Sequence, residues 1–182
     1  MKRIMFKGLF SALILGLFWS CSTENDVQMQ QGGVNQKDND ILSGVIAHDL
    51  GNGQYQFVVS QADLIKEIER ISVAEGDEAE IQSVQVIDKE LVNAPGQYIP
   101  VLIAGGVNAT GTLVTYGFGL VKAGTYLSGG GAAIGEDRPP RISCTGCGTG
   151  CFLEWYKLDD KHSLGYCDSA GCGDYCFKNK LD

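Results

Sequence analysis

The clearest pattern in the first half of the chain is a two-residue alternation of apolar and polar positions. Val45 and Ala47 alternate with polar or neutral neighbours, and Tyr55 and Phe57 repeat this alternation after a short segment at residues 50–53. That segment is rich in glycine and asparagine, which tolerate the positive φ angles of tight hairpin turns. The pattern therefore predicts a β-hairpin.

The hydrophobic period then changes from two residues to that of a helix. Apolar residues recur at i, i+1, i+4 and i+7, which are the positions of Leu64, Ile65, Ile68 and Ile71. This spacing predicts an amphipathic helix over residues 61–71. Ser60 stands three residues before Asp63, as in a capping box, so the helix is expected to begin there.

Strand patterns return after a polar connection at residues 74–80. Alternation predicts strands over residues 81–87 and 112–122, the second with a shared face of Val114, Tyr116, Phe118 and Leu120, and a last short strand over residues 125–127. Residues 98–107 are nearly all apolar or glycine, which is typical of a strand buried on both faces. The pair Gly105-Gly106 within it is interpreted as a β-bulge.

The order of these elements predicts an α+β fold, in which one helix packs on a mainly antiparallel sheet, followed by a small disulfide-rich C-terminal module. We assign residues 42–128 to the α+β domain, 129–140 to a Gly/Pro linker and 141–182 to the six-cysteine module. The polar residues 21–41 are expected to form a disordered tether. The α+β domain is expected to stay folded without the module.

The N-terminus has the organisation of a secretory signal peptide. Lys2, Arg3 and Lys7 precede an uncharged apolar run of 12 residues at positions 8–19. A membrane-spanning helix needs about 20 apolar residues, so the run is short for a permanent anchor.

The residues that follow, Phe18-Trp19-Ser20-Cys21, resemble the lipobox of bacterial lipoproteins, in which a small residue precedes a cysteine that becomes diacylated. The resemblance implies removal of residues 1–20 and a lipid anchor on Cys21, with the protein at the outer membrane, facing the periplasm or the cell surface. Ordinary cleavage after Ser22 and an uncleaved anchor are the alternatives. All three place the mature chain outside the cytoplasm.

Charge narrows the range of partners. The formal net charge is −8, and removal of residues 1–20 takes away three of the 14 basic residues and none of the 22 acidic ones. Such a surface repels phosphate backbones and anionic headgroups, so no nucleic-acid partner is expected. The expected partners are the membrane, through the lipid anchor, and an unidentified protein or ligand.

The C-terminal module contains six cysteines in two triplets: Cys144, Cys147 and Cys151, then Cys167, Cys172 and Cys176. Its 42 residues are near the limit of about 40 below which a chain rarely folds without covalent or metal staples. An even cysteine count outside the cytoplasm favours three disulfides. The connectivity stays open, with at least two bridges expected between the triplets.

A metal or redox centre is the rival interpretation. The Cys144–Cys147 and Cys172–Cys176 pairs, with adjacent glycines, resemble parts of a zinc-knuckle or rubredoxin pattern, and His162 is a further possible ligand. The second pair has three intervening residues instead of two, so we assign no metal and no other cofactor. Glycines around Cys147 disfavour the helix N-terminus that a redox thiol would use.

No catalytic residue is assigned. His48 and His162 are the two side chains that could act as neutral bases, and neither lies near a nucleophile-elbow motif. The sequence therefore favours a non-enzymatic binding or structural module of the cell envelope. The alternatives are a metal-binding or thiol-redox envelope protein and an inhibitor of an extracellular hydrolase.

Overall fold

A computed structural model describes residues 40–129, 141–146, 151–159, 162–169 and 176–181. All of these belong to one folded unit, Lys37–Asp182, and a second unit, Met1–Gln36, lies wholly outside them. Cys21, Cys147 and Cys172 are therefore outside the described residues, as are the predicted signal peptide and nearly all of the tether and linker.

A small four-stranded antiparallel sheet contains the predicted hairpin. Its strands are β1 (Val45–Gly51), β2 (Gln54–Phe57), β6 (Val121–Ala123) and β7 (Tyr126–Ser128), in the order β2-β1-β7-β6. Positive φ angles at Gly51 (85°), Asn52 (56°) and Gly53 (70°) turn the chain between β1 and β2, which confirms the prediction. β1 also pairs with the distant β7, where Ala47 lies opposite Leu127. A short 3-10 helix (Ile41–Ser43) precedes β1.

Helix α1 (Gln61–Ala74) confirms the predicted helix and ends three residues later than expected. Leu64 and Ile68 form its fully buried apolar face. The predicted capping box is wrong, because the Ser60 side chain makes no capping hydrogen bond. The Ser60 carbonyl oxygen instead accepts from the amides of Asp63 and Leu64, both at 3.1 Å.

The large sheet has seven strands in the order β10-β9-β3-β4-β5-β8-β11. Their bounds are β3 (Glu80–Leu91), β4 (Ala94–Val107), β5 (Leu113–Gly119), β8 (Arg141–Thr145), β9 (Phe152–Lys157), β10 (Ser163–Asp168) and β11 (Phe177–Leu181). All neighbours are antiparallel except β3 and β9, which meet in parallel at the single pair Leu91 and Trp155. The mainly antiparallel α+β class is thus confirmed, with two sheets where one was expected.

The centre of the large sheet is buried on both faces. Leu102 and Ala104 of β4 belong to a core that also contains α1 and the small sheet. Val101 and Ile103, which point the opposite way along the same strand, pack in a second core with residues of β8 and β9. The two cores explain the apolar character of residues 101–104, whereas Tyr98, at the start of the predicted strand, is 58% exposed.

The strand predicted over residues 112–122 is divided between the two sheets. β5 ends at Gly119 in the large sheet, and β6 begins at Val121 in the small one. Between them Leu120 is buried, and its amide donates to the carbonyl oxygen of Pro100 at 3.0 Å. The apolar alternation continues through this change of sheet and so did not reveal it.

The cysteine segment does not form a sheet of its own. β8 pairs with β5 from Val114–Thr145 to Phe118–Arg141, and β9 meets β3. The segments assigned to an α+β domain and a separate module therefore share one sheet and its second core. The chain between them, at residues 130–140, lies outside the described residues.

Candidate functional site

Within the described part of the chain, two disulfides join the C-terminal strands across the large sheet. Cys144 of β8 is bonded to Cys167 of β10, with Cα atoms 5.6 Å apart. Cys151, just before β9, is bonded to Cys176, just before β11, with Cα atoms 5.9 Å apart. Each bridge joins the first cysteine triplet to the second, so the prediction of disulfide bonding is confirmed.

Strands β9 and β10, which we call the cover hairpin, lie over one face of β4, β5 and β8. A Cβ atom at Gly117 of β5 would lie 1.9 Å from Leu153 Cδ2 and 3.5 Å from Trp155 Cζ2. A Cβ atom at Gly165 of β10 would likewise lie 2.1 Å from Ile142 Cδ1. Glycine at both positions lets the hairpin approach the sheet closely enough to bury Trp155 completely.

The outer face of the cover hairpin is partly apolar. Phe152 is 55% exposed, and Tyr156 and Leu164, which lie opposite each other in the register, are 43% and 41% exposed. Tyr166 lies opposite Glu154, and burial, followed by the charges of nearby carboxylates, raises the pKa of its hydroxyl. The disulfides Cys144–Cys167 and Cys151–Cys176 hold the cover hairpin on the sheet.

An open cleft of about 420 Å³ lies beside the start of the cover hairpin. We call it the Gly105 cleft; its lining includes Ser83 and Lys89 of β3, Gly105 of β4, Thr115 of β5, and Phe152 and Leu153 of β9. Small-molecule sites in proteins usually have volumes of about 300–1,000 Å³, so the cleft is large enough for a ligand.

Gly105 and Gly117 show why the cleft is open at one position and closed at the other. Both glycines face the same side of the sheet, because Gly105 pairs with Thr115 and Gly117 pairs with Ile103 two residues away. Above Gly117 the space is filled by Leu153 and Trp155. Above Gly105 an added Cβ atom would meet one atom within 4 Å, Ser83 Oγ at 3.4 Å.

A β-bulge borders the cleft. The register of β3 against β4 shifts between Ile81 and Ser83, which pair with Gly106 and Gly105. The predicted bulge at the two glycines is therefore present, with the extra residue, Gln82, on the partner strand. Gly106 has a packing role, because a Cβ atom there would lie 2.2 Å from the carbonyl oxygen of Glu80.

The charged groups of the Gly105 cleft balance each other. Lys89 Nζ lies 3.0 Å from Glu154 Oε1, and the two side chains are 22% and 25% exposed. The remaining polar side chains of the lining are uncharged. Among the described residues, the hydroxyls of Ser83 and Thr115 have no hydrogen-bond partner, so both are available to a ligand.

A second, polar pocket lies where the β1–β2 turn meets β3 and β4. Its side chains pair with one another: Lys122 Nζ is 2.5 Å from Asp49 Oδ2, and the Tyr55 hydroxyl donates to Asp88. The hydrogen bond from Lys122 is the main reason that the pKa of Asp49 is lowered. Burial, then the bond to Asp88, raises the pKa of Tyr55. The Tyr55–Asp88 bond joins the small sheet to the large one, whereas Lys122 and Asp49 both belong to the small sheet.

The two histidines lie in different parts of the fold, His48 in β1 and His162 just before β10. His48 packs edge-on against Tyr126, with ring centroids 4.3 Å apart. His162 Nδ1 lies 2.7 Å from Asp159 Oδ2 at the end of the cover hairpin. In the described parts of the chain, no group of three or more histidine, cysteine or acidic residues could hold a metal ion.

The chain matches no protein-family model, no curated protein and no solved structure. In the part of the chain that the structure describes, no helix is both long and apolar enough to cross a membrane. The Gly105 cleft is the feature that sequence reasoning missed. Its residues come from three parts of the chain. In the sequence, Gly105 has no feature that distinguishes it from Gly117, above which the space is occupied by side chains.

Proposed function

We propose that the chain is a lipid-anchored, non-enzymatic binding protein of the cell envelope, which presents the Gly105 cleft to a ligand outside the cytoplasm. The observation that carries the proposal is the cleft itself. Its floor is open at Gly105, its hydroxyls have no partner among the residues that the structure describes, and its Lys89 is neutralised by Glu154. Such a lining can hold a molecule by hydrogen bonds and apolar contact.

The disulfides support the location outside the cytoplasm. Structural disulfides form and persist in oxidising compartments and are rare where thiols are kept reduced. Cys144 is completely buried and Cys151 is 5% exposed, so both bridges are built into the second core. A protein stabilised by such bridges is expected in an oxidising compartment such as the cell envelope. The proposed lipid anchor is based on the lipobox-like sequence around Cys21.

The cysteine chemistry favours a structural role over the metal or redox alternative. A thiolate is the metal ligand and the redox nucleophile, and a sulfur in a disulfide is not a thiolate. The sulfurs of Cys144, Cys151, Cys167 and Cys176 are all in disulfides. A four-cysteine metal site could form only if at least one of these two disulfides were reduced, and both belong to the second core.

Metabolic labelling with a fatty acid tests the anchor. Wild-type protein should incorporate the label and partition into detergent, whereas Cys21→Ala should take up no label and should be either released or left unprocessed. Ser22→Ala, which changes the next residue and leaves the acceptor sulfur, is the matched control and should behave as wild type. Wild-type protein that takes up no label would overturn the lipid-anchored part of the proposal.

A further inference from the structure

The Gly105 cleft has a flat floor between two hydroxyl groups. Ser83, Gly105 and Thr115 lie side by side in the register of β3, β4 and β5. Neighbouring strands are about 4.8 Å apart, so the two hydroxyl-bearing residues are separated by roughly 10 Å across a position that has no side chain. A ring can lie over Gly105 with a hydroxyl group on either side.

The polar groups of the cleft suit a ligand that also carries hydroxyls. A serine or threonine hydroxyl donates one hydrogen bond and accepts others, and an amide side chain such as that of Gln82 also does both. Ligand hydroxyls have the same dual capacity. A carboxylate ligand only accepts, and an ammonium ligand only donates, so neither would use this lining fully.

The charges of the cleft favour a neutral ligand, and the net charge of the chain disfavours an anionic one. Lys89 is already paired with Glu154 at 3.0 Å, which leaves the cleft without an unbalanced charge. The whole chain has a formal net charge of −8, so the approach of a polyanion is unfavourable. The cleft therefore fits a neutral molecule.

Phe152 adds an apolar contact at the side of the cleft. Phe152 is among the residues at the rim of the cleft and is 55% exposed, and the adjacent Cys151–Cys176 disulfide fixes the chain at this point. An exposed aromatic ring with a fixed backbone offers a flat apolar surface at small entropic cost. The C–H faces of a sugar ring pack well on such a surface, while its hydroxyls point to the sides.

We propose that the Gly105 cleft binds a neutral saccharide unit, with the sugar ring above Gly105 and its hydroxyls bonded to Ser83 and Thr115. Phe152 packs against the ring. This assignment rests on the proposed binding function and specifies the ligand class for the same site. Binding involves no covalent step.

Titration of the oxidised protein, followed by NMR of its backbone amides, tests the assignment. The probes are neutral hexasaccharides of glucose, xylose, mannose and N-acetylglucosamine, with trigalacturonate and spermine as charged probes. At least one neutral hexasaccharide should shift the amides of Gly105, Thr115 and Phe152 in a saturable way. Neither charged probe should do so.

Two variants locate the binding site. Gly105→Val fills the floor and should weaken saccharide binding at least tenfold. Gly44→Val is the matched control, since a Cβ there meets the Ile41 carbonyl oxygen at 3.7 Å and lies outside the cleft lining, so it should bind like wild type. Phe152→Ala changes an exposed side chain and should weaken binding about two- to tenfold, even if Gly105→Val does not fold.

The outcomes separate the ligand class from the function. A charged probe that occupies the cleft in place of every saccharide would refute the saccharide and leave the binding function intact. Saccharide binding that Gly105→Val and Phe152→Ala leave unchanged would refute the assigned site. If no probe shifts the three amides, both the saccharide and the cleft as a binding site are wrong.

Discussion

The close contact between Gly117 and the cover hairpin gives a sharp stability prediction. In Gly117→Ala the new Cβ atom would lie 1.9 Å from Leu153 Cδ2, whereas carbon atoms in contact are about 3.5–4.0 Å apart. Leu153 is 4% exposed and lies next to buried Trp155, so it has little room to move. The substitution should therefore displace the hairpin from the sheet.

The magnitude follows from two opposing effects. Overpacking a well-filled core costs about 1–3 kcal/mol. Replacing glycine by alanine recovers about 0.4–1 kcal/mol by restricting the unfolded chain. The free energy of unfolding should thus fall by about 1–2 kcal/mol, which lowers the Tm of a unit of this size by roughly 2–8 °C.

A double-mutant cycle connects this loss to the Leu153 contact. Leu153→Ala alone should cost about 2–5 kcal/mol. In Gly117→Ala/Leu153→Ala the alanine at 117 has space, so the combined loss should be smaller than the sum by about 1 kcal/mol or more. Urea unfolding of the oxidised proteins measures each value, with Gly44→Ala as the control. Losses that add within about 0.5 kcal/mol would refute the packing of the hairpin on Gly117.

Three further predictions concern the rest of the fold. The double variant Cys144→Ser/Cys167→Ser should lose about 2–5 kcal/mol in the free energy of unfolding; an unchanged urea midpoint would contradict this. Truncation after Ser128 removes β8 and the cover hairpin, so the fragment should show no cooperative thermal transition; a cooperative transition would establish an independent domain. The lowered pKa of Asp49 means that its bond to Lys122 stabilises the fold above the unfolded value of 3.8 and is lost as pH falls below it. Asp49→Asn should flatten the acid side of a urea-midpoint profile, and a profile parallel to that of wild type would contradict this.

Local patterns predicted the local elements. The hairpin at Gly51–Gly53 and helix α1 follow from hydrophobic period and turn residues, which act over a few positions. The buried strand β4 was also predictable, because its apolar run needs two covered faces. The change of sheet at Leu120 could not be predicted, because the apolar alternation of the sequence continues unchanged through this residue.

The arrangement of distant strands could not be predicted. Strands β5 and β8 pair although they lie on either side of the glycine- and proline-rich segment 129–140, whose composition is typical of a linker between domains. The cleft depends on where β9 begins to cover the sheet. Gly105 and Gly117 lie in similar apolar stretches, and the difference between open and filled space comes from Leu153, more than 30 positions away in sequence.

The pairing of Ala47 with Leu127 means that the small sheet can be completed only when residue 127 is available. During synthesis from the N-terminus, β2 becomes available soon after β1 and can pair with it. The other edge of β1 has no partner strand until β7 has been made. The four cysteines of the two described disulfides all follow Leu127, so these thiols become available only after the small sheet is complete in sequence. Sheet closure over such a long separation is slow. The edge of β1 that pairs with β7 therefore has no partner strand until residues 126–128 are available.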